Sequence, residues 1–185
     1  MKQVVVVGTG IMAVGIAAGF LATSHQVILL GRTQSRAKEQ EVEILALTKT
    51  MNPDWEASGA KLVTGEIASW ADWSEVIWVI ETIKEDMQLK QELFASLDQR
   101  VPEHIPIGSN SSGFPISKIS AGLKTAHRMF NAHYFMPAHI VPLVEVVLGE
   151  KSDPVMGEQV CQLYRQAKKK PVLVRKDIPG FLANR

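Results

Sequence analysis

The stretch that most constrains the fold is VVVVGTGIMAVGIA, Val4 to Ala17. An apolar strand-like run ends at Gly8, and Gly8, Gly10 and Ala13 follow at G-x-G-x-x-A spacing before a second apolar run rich in small residues. In such a turn the first glycine allows a tight bend, the second lets the backbone approach a pyrophosphate, and the third small residue lets helix and strand pack closely. The helix that opens there offers unpaired N–H groups, those of Ile11 and Met12 among them, to the anion. The spacing predicts a strand over 3–7, a helix over 11–22 and a dinucleotide-binding turn between them. A glycine-rich turn that serves packing alone is the other reading of the same residues.

Strand-like and helical patterns alternate along the rest of the chain, which predicts an α/β fold of Rossmann type, a mainly parallel sheet with helices on both faces. Further strands are expected over 27–30, 60–64, 75–80, 105–108, 129–135, 143–148 and 171–175. A helix over 34–51 is expected to bury Ile44, Leu47 and Met51 and to stop before Pro53, because proline disfavours a helical residue ahead of it. A helix from Asp86 is expected to bury Leu89, Leu93 and Leu97, and one from Asp153-Pro154 to bury Met156, Val160, Leu163 and Ala167. The 185 residues are enough for one domain, with no repeat, low-complexity tract or linker. Met1 to Ser24 imitates a secretory signal, but Gly8, Gly10, Gly15 and Gly19 stand at spacings a signal core does not need. No other apolar run approaches the length of a membrane span.

Charge narrows the partners. Twenty Lys+Arg against nineteen Asp+Glu give a net charge of +1, which provides no general attraction for nucleic acid or an anionic membrane. Cys161 is the one cysteine and lies at an apolar helical position, so it reads as a core residue of a cytoplasmic protein. The five histidines show no metal-ligand spacing, and no metal is expected.

A second strand ending in VILLGRTQSR sharpens the cofactor reading. An NAD site usually ends this strand in a carboxylate that accepts from the ribose 2′-hydroxyl and would repel a 2′-phosphate. Gly31 stands there instead, and Arg32 follows with a planar fork suited to phosphate oxygens. Thr33, Ser35 and Arg36 add donors in the same turn, so NADP(H) is the expected cofactor and NAD the alternative. A solvated basic loop with no cofactor contact would look the same.

Two residues in the C-terminal half resist explanation as packing. Glu145 interrupts the apolar run PLVEVVL, on the strand face shared by Leu143 and Val147, where a carboxylate is costly unless paired. His133, on the neighbouring predicted strand, is its natural partner, and a carboxylate on one ring nitrogen would aim the other at substrate. A hydrogen-bonded core histidine and an edge-strand glutamate remain open as readings. The polar turn Asn110 to Ser112 is equally ambiguous, since ordinary turns select the same residues.

Taken together, GTGIMAVGIA, IETIKEDMQLKQELFASLD, SNSSGFPISKI, HYFMPAHIVPLVEVV and DIPGFLANR stand in an order that resembles the N-terminal dinucleotide-binding domain of the L-3-hydroxyacyl-CoA dehydrogenase family. The resemblance covers essentially the whole chain. It implies NAD(P)-dependent interconversion of 3-hydroxyacyl and 3-ketoacyl groups, as in fatty acid metabolism, with His133 as general acid/base and Glu145 as the group that orients it. It further implies that Ser112 contacts the reacting oxygen and that Asn184 positions substrate, while Glu85, Lys90 and Asn110 serve the cofactor. It divides the chain into a dinucleotide-binding domain over 1–178 and, over 179–185, the start of a helix leading into a helical C-terminal domain that is absent here. In the longer form that domain would close over the acyl substrate and make a homodimer. Three departures stand out: Gly31-Arg32 for the usual acid, Met136 for a usual asparagine, and Pro142 for a usual lysine. Relatives that oxidise free hydroxy acids, of the lambda-crystallin and gulonate dehydrogenase type, also carry PLVE. A free 3-hydroxy acid is therefore the alternative substrate, and a dinucleotide-binding module without turnover the alternative function.

Overall fold

Four valines in succession leave strand β1 (Gln3–Val7) no polar face, so it is buried on both sides, as parallel strands flanked by helices require. The computed structural model describes residues 2–184. Met1, at the head of the signal-like stretch, and Arg185, at the end of the DIPGFLANR motif, lie outside the described residues. Within the span read from sequence as one domain, the chain divides into two compact units, Met1–Ile83 with Phe135–Pro142, and Lys84–Tyr134 with Leu143–Arg185. The architecture is the mainly parallel, Rossmann-type α/β arrangement expected from the sequence.

In the first unit β1 pairs in parallel with β2 (Gln26–Gly31) on one side and β4 (Val76–Glu81) on the other, and β3 (Leu62–Glu66) adds to β2, giving the order β3-β2-β1-β4. Helix α1 (Ile11–Ala22) is buried from Ala13 to Ala22, which its glycines and alanines permit. The signal-like stretch is thus a core strand and helix. The predicted helix over 34–51 is two helices, α2 (Gln34–Glu39) and α3 (Glu41–Met51), separated at Gln40. Gln40 donates its N–H to the Ala37 carbonyl, closing α2 with a tight turn, while its own carbonyl accepts from Ile44 and opens α3. The buried face of α3 is Ile44 and Thr48; Leu47 is half-buried and Met51 exposed. Thr48 can be buried because its hydroxyl donates to the Ile44 carbonyl at 2.7 Å.

In the second unit the order is β5 (Ile107–Ser109), β6 (Met129–Tyr134), β7 (Leu143–Leu148) and β8 (Lys170–Val174). The β5–β6 and β7–β8 pairs are parallel and β6–β7 is antiparallel. Helix α4 (Met87–Arg100) follows its N-cap Asp86, α5 (Ile116–Ile119) is short, and α6 (Pro154–Gln166) starts as expected from Asp153, which accepts from the Val155 N–H. The α4 face differs from the leucine pattern: Lys90, Phe94 and Leu97 are buried, whereas Leu89 is exposed. Lys90 lies inward with its ammonium 3.4 Å from the Glu85 carboxylate, while Leu97 stays on the buried face. Cys161 is a buried residue of α6, and burial pushes its thiol up to about 11.

Arg128 has no exposed surface. Its guanidinium donates to the carbonyls of Asp98, Val101, Pro102 and Ile105 and to the Thr125 hydroxyl, so one cation satisfies the backbone at and beyond the C-terminus of α4. Asp98 in turn accepts from Thr125 and Lys124. Replacing a fully engaged buried charge by an apolar residue leaves those carbonyls without partners. Arg128→Met should therefore lower the unfolding free energy by about 3–5 kcal/mol in urea denaturation; a loss within error of zero would contradict this role.

Candidate active site

The glycine turn sits in the first unit. Gly8 has φ +130°, and a Cβ there would stand 2.4 Å from the Thr82 hydroxyl oxygen, so only glycine fits. The Gly8 N–H donates to the Leu30 carbonyl and the Thr82 N–H to the Val7 carbonyl, which pins the turn to both neighbouring strands. A Cβ on Gly10, by contrast, would meet nothing within 4 Å. Gly10 is the N-cap of α1, no side chain caps that helix, and its first turn holds no acid. Open space in front of uncapped N–H groups at Ile11 and Met12 fits an anionic group such as a pyrophosphate.

The second turn lies beside it in the same unit, because β1 and β2 pair in register through Val7 and Leu30. Gly31 has a packing reason of its own: a Cβ would lie 2.9 Å from the Thr33 carbonyl oxygen and 3.1 Å from Cγ2 of Thr9. Arg32 is exposed. Thr33 caps α2, its hydroxyl accepting from the Arg36 N–H at 3.3 Å, and Arg36 approaches Glu39 at 3.7 Å with both side chains largely exposed, a weak pair.

In the second unit the antiparallel register sets His133 opposite Glu145. Nδ1 of His133 lies 2.8 Å from Oε2 of Glu145, and the two side chains are 5% and 2% exposed. An ionised carboxylate only accepts, so this contact fits a ring that carries its proton on Nδ1. The other oxygen, Oε1, accepts from the backbone N–H groups of Leu182 and Ala183 at 3.0 and 3.1 Å. A helix opening at Pro179 was expected; residues 179–184 instead form consecutive turns, with Phe181 at φ +52°. A left-handed phenylalanine costs about 1–3 kcal/mol and persists where its surroundings demand it. Here the two N–H groups after it converge on Glu145, and its ring is buried against the His133 imidazole, with centroids 5.4 Å apart, and against Val147 and Val174.

The remaining predicted residues gather in the same unit. Oε1 of Glu85 accepts from the Ser111 hydroxyl and from the N–H groups of Ser112 and Gly113, while Lys90, almost fully buried, pairs with Oε2 at 3.4 Å. Asn110 accepts the Tyr134 N–H at 2.9 Å, directly after His133. Asn184 donates from its side-chain amide to the Ser112 carbonyl at 3.3 Å. Sequence reasoning missed Ser111, whose hydroxyl holds Glu85 and accepts from the Phe114 N–H, and Phe181. A glycine before Phe181, itself at φ +78°, was the available signal of a left-handed turn.

A Rossmann-type domain with an anion-ready glycine turn and a buried histidine–carboxylate pair defines the class of dinucleotide-binding dehydrogenase domains. The family model described as 3-hydroxyacyl-CoA dehydrogenase, NAD binding domain, matches residues 3–178, and the chain belongs to that family. Hydroxyacyl-coenzyme A dehydrogenase, mitochondrial, of Rattus norvegicus is 31% identical over all of this chain and 62% of its own length. L-carnitine dehydrogenase of Nocardiopsis dassonvillei is 30% identical over all of this chain and 57% of its own. Among solved structures, (S)-3-hydroxybutyryl-CoA dehydrogenase PaaH1 from Ralstonia eutropha superposes with a TM-score of 0.87 at 26% identity, over all of this chain and 66% of that one. The chain thus spans less than two thirds of these proteins, and only 26% of a plant multifunctional relative.

The two glycines separate folding from binding. Gly8→Ala should destabilise the protein by about 1–3 kcal/mol in thermal or urea unfolding. Gly10→Ala should keep native stability yet bind dinucleotide about tenfold or more weakly in a fluorescence titration, since its methyl would fill the space before the N–H groups. Native affinity in Gly10→Ala would remove the pyrophosphate assignment.

Proposed function

We propose that this chain supplies the cofactor site and the proton-transfer residues of a dehydrogenase that interconverts a 3-hydroxyacyl-CoA and a 3-ketoacyl-CoA. The observation that carries the reading is the buried cross-strand pair of His133 and Glu145 at 2.8 Å, whose carboxylate is fixed from its other side by two backbone amides. Gly8, Gly10, Ile11 and Met12 would hold the pyrophosphate, and Glu85, Lys90 and Asn110 the ribose toward the nicotinamide. When bound, the dinucleotide supplies the acceptor or donor of hydride for the substrate carbon.

The protein's own residues handle the proton. Glu145 holds Nδ1–H of His133 and aims the ring, so Nε2 takes the hydroxyl proton in oxidation and returns it to the forming alkoxide in reduction. The Ser112 hydroxyl, on an exposed residue, steadies the reacting oxygen, and the Asn184 amide positions substrate beside it. Glu85 fixes the Ser112 turn by accepting its backbone N–H. With native chain, NADH or NADPH should be consumed with acetoacetyl-CoA. His133→Gln should lower that rate by about 10²–10⁴-fold, the usual contribution of a positioned acid/base; an equal rate would exclude the assignment.

A free 3-hydroxy acid is the second reading, favoured by Pro142 before Leu143-Val144-Glu145 and by the likeness to L-carnitine dehydrogenase. Free 3-keto acids in the same assay distinguish it, and binding of cofactor without turnover of any of these would leave the module reading.

For the cofactor we propose NADP(H) over NAD(H). Support comes from the missing carboxylate at Gly31 and from Arg32, exposed at the end of β2 beside Thr33 and Arg36. The family's NAD binding description and the packing reason for Gly31 weigh on the other side. One or two charge-assisted hydrogen bonds, about 1.5–3 kcal/mol each, would favour NADP by about ten- to several hundred-fold. Arg32→Ala should erase most of that ratio, and an unchanged ratio in paired titrations would remove the proposal.

A further inference from the structure

Asp177 has no part in the chemistry described so far, yet it ties together the segments that carry it. Its Oδ1 accepts from the Ile116 N–H at 3.2 Å and its Oδ2 from the Ser117 N–H at 2.7 Å. The same Ile116 N–H is shared with Oδ1 of Asn131 at 2.8 Å. Asn131 has no exposed surface, lies on β6 two residues before His133, and donates to the Phe114 carbonyl at 3.0 Å. One cluster therefore joins the strand of His133, the loop of Ser112 and the segment of Asn184.

Within that last segment the Phe181 ring is the buried hold. Leu182, Ala183 and Asn184 are exposed, so burial of side chains does little to place them. Between Asp177 and Asn184 the backbone turns left-handed at Gly180 and Phe181, where a Cβ on Gly180 would meet the Asn184 carbonyl oxygen at 2.8 Å. The path is compact and exacting, and it is fixed at one end by Asp177 and at the other by Glu145 and the Ser112 carbonyl.

We infer that Asp177 is a positioning residue for the reaction: by anchoring residues 177–184 to the Ile116-Ser117 turn, it sets Phe181 against His133 and Asn184 beside Ser112. The inference rests on the dehydrogenase reading above. A local cap for the short helix α5 would predict effects near residues 116–119 only. Positioning predicts that the consequence reaches Leu182, Ala183 and turnover.

Amide hydrogen exchange and steady-state kinetics on the whole chain test it together, with Asp177→Ala and Asp177→Asn. In the alanine variant the Leu182 and Ala183 amides should exchange about tenfold or more faster while core amides of β7 hold their native rates. Its kcat should fall about ten- to a hundredfold, as for a displaced positioning group, with dinucleotide affinity unchanged. Asparagine keeps one acceptor oxygen and should recover part of both effects; it also serves as the readable variant if alanine fails to fold. Native exchange at Leu182 and Ala183 in the altered chain would overturn the anchor. Faster exchange with native kcat would overturn the positioning role alone, and a native chain without turnover would remove the dehydrogenase reading and Asp177's part in it.

Discussion

A carboxylate buried as deeply as that of Glu145 is tolerated only when its oxygens are fully used. Oε2 meets the His133 ring across the antiparallel ladder, and Oε1 meets two consecutive amides of the terminal segment. Much of the second unit answers to this requirement. The β6–β7 register must place residue 133 opposite residue 145, and Phe181 must accept a left-handed backbone so that the next two N–H groups can converge on one oxygen. The same convergence presses the Phe181 ring on the imidazole and carries Asn184 to Ser112. Orientation of the His133 ring and placement of the Asn184 segment thus share one anchor.

In the first unit steric limits take the place of electrostatic ones. Gly8 is compelled by its conformation and by Thr82, whereas Gly10 is compelled by nothing within the protein, and space that the protein does not use is space a ligand can use. Gly31 falls between these cases. Its neighbours in the turn leave little room for a Cβ, so packing alone accounts for the absence of the usual acid.

Much of this was legible in the residues. Strand–turn–helix order around Gly8 and Gly10 announced the tight turn and the uncapped helix that follows it, and the interruption of an apolar strand by Glu145 announced its partner on the neighbouring strand. The failures share a cause: a pattern of residue types cannot report a tertiary partner. Leu89 and Leu93 drew attention from the true α4 face, where Lys90 goes inward because Glu85 is there to receive it. Arg128 left no signal in the sequence, because the carbonyls that surround it lie at and beyond the end of α4. The helix expected at Pro179 ignored that the Leu182 and Ala183 amides were claimed by a carboxylate 37 and 38 residues earlier. Ser111 and Ser112 are neighbours of one type, and only the Glu85 bond tells the structural one from the exposed one.

The proton on the His133 ring is where the account is most exposed. Nitrogen-15 NMR of the imidazole, in chain carrying labelled histidine, reads its tautomer directly. With Glu145 intact, neutral His133 should carry its proton on Nδ1, and Glu145→Ala should release that preference. A neutral ring protonated on Nε2 in the native protein would mean that the carboxylate does not orient it, and the proposed acid/base chemistry would lose its foundation.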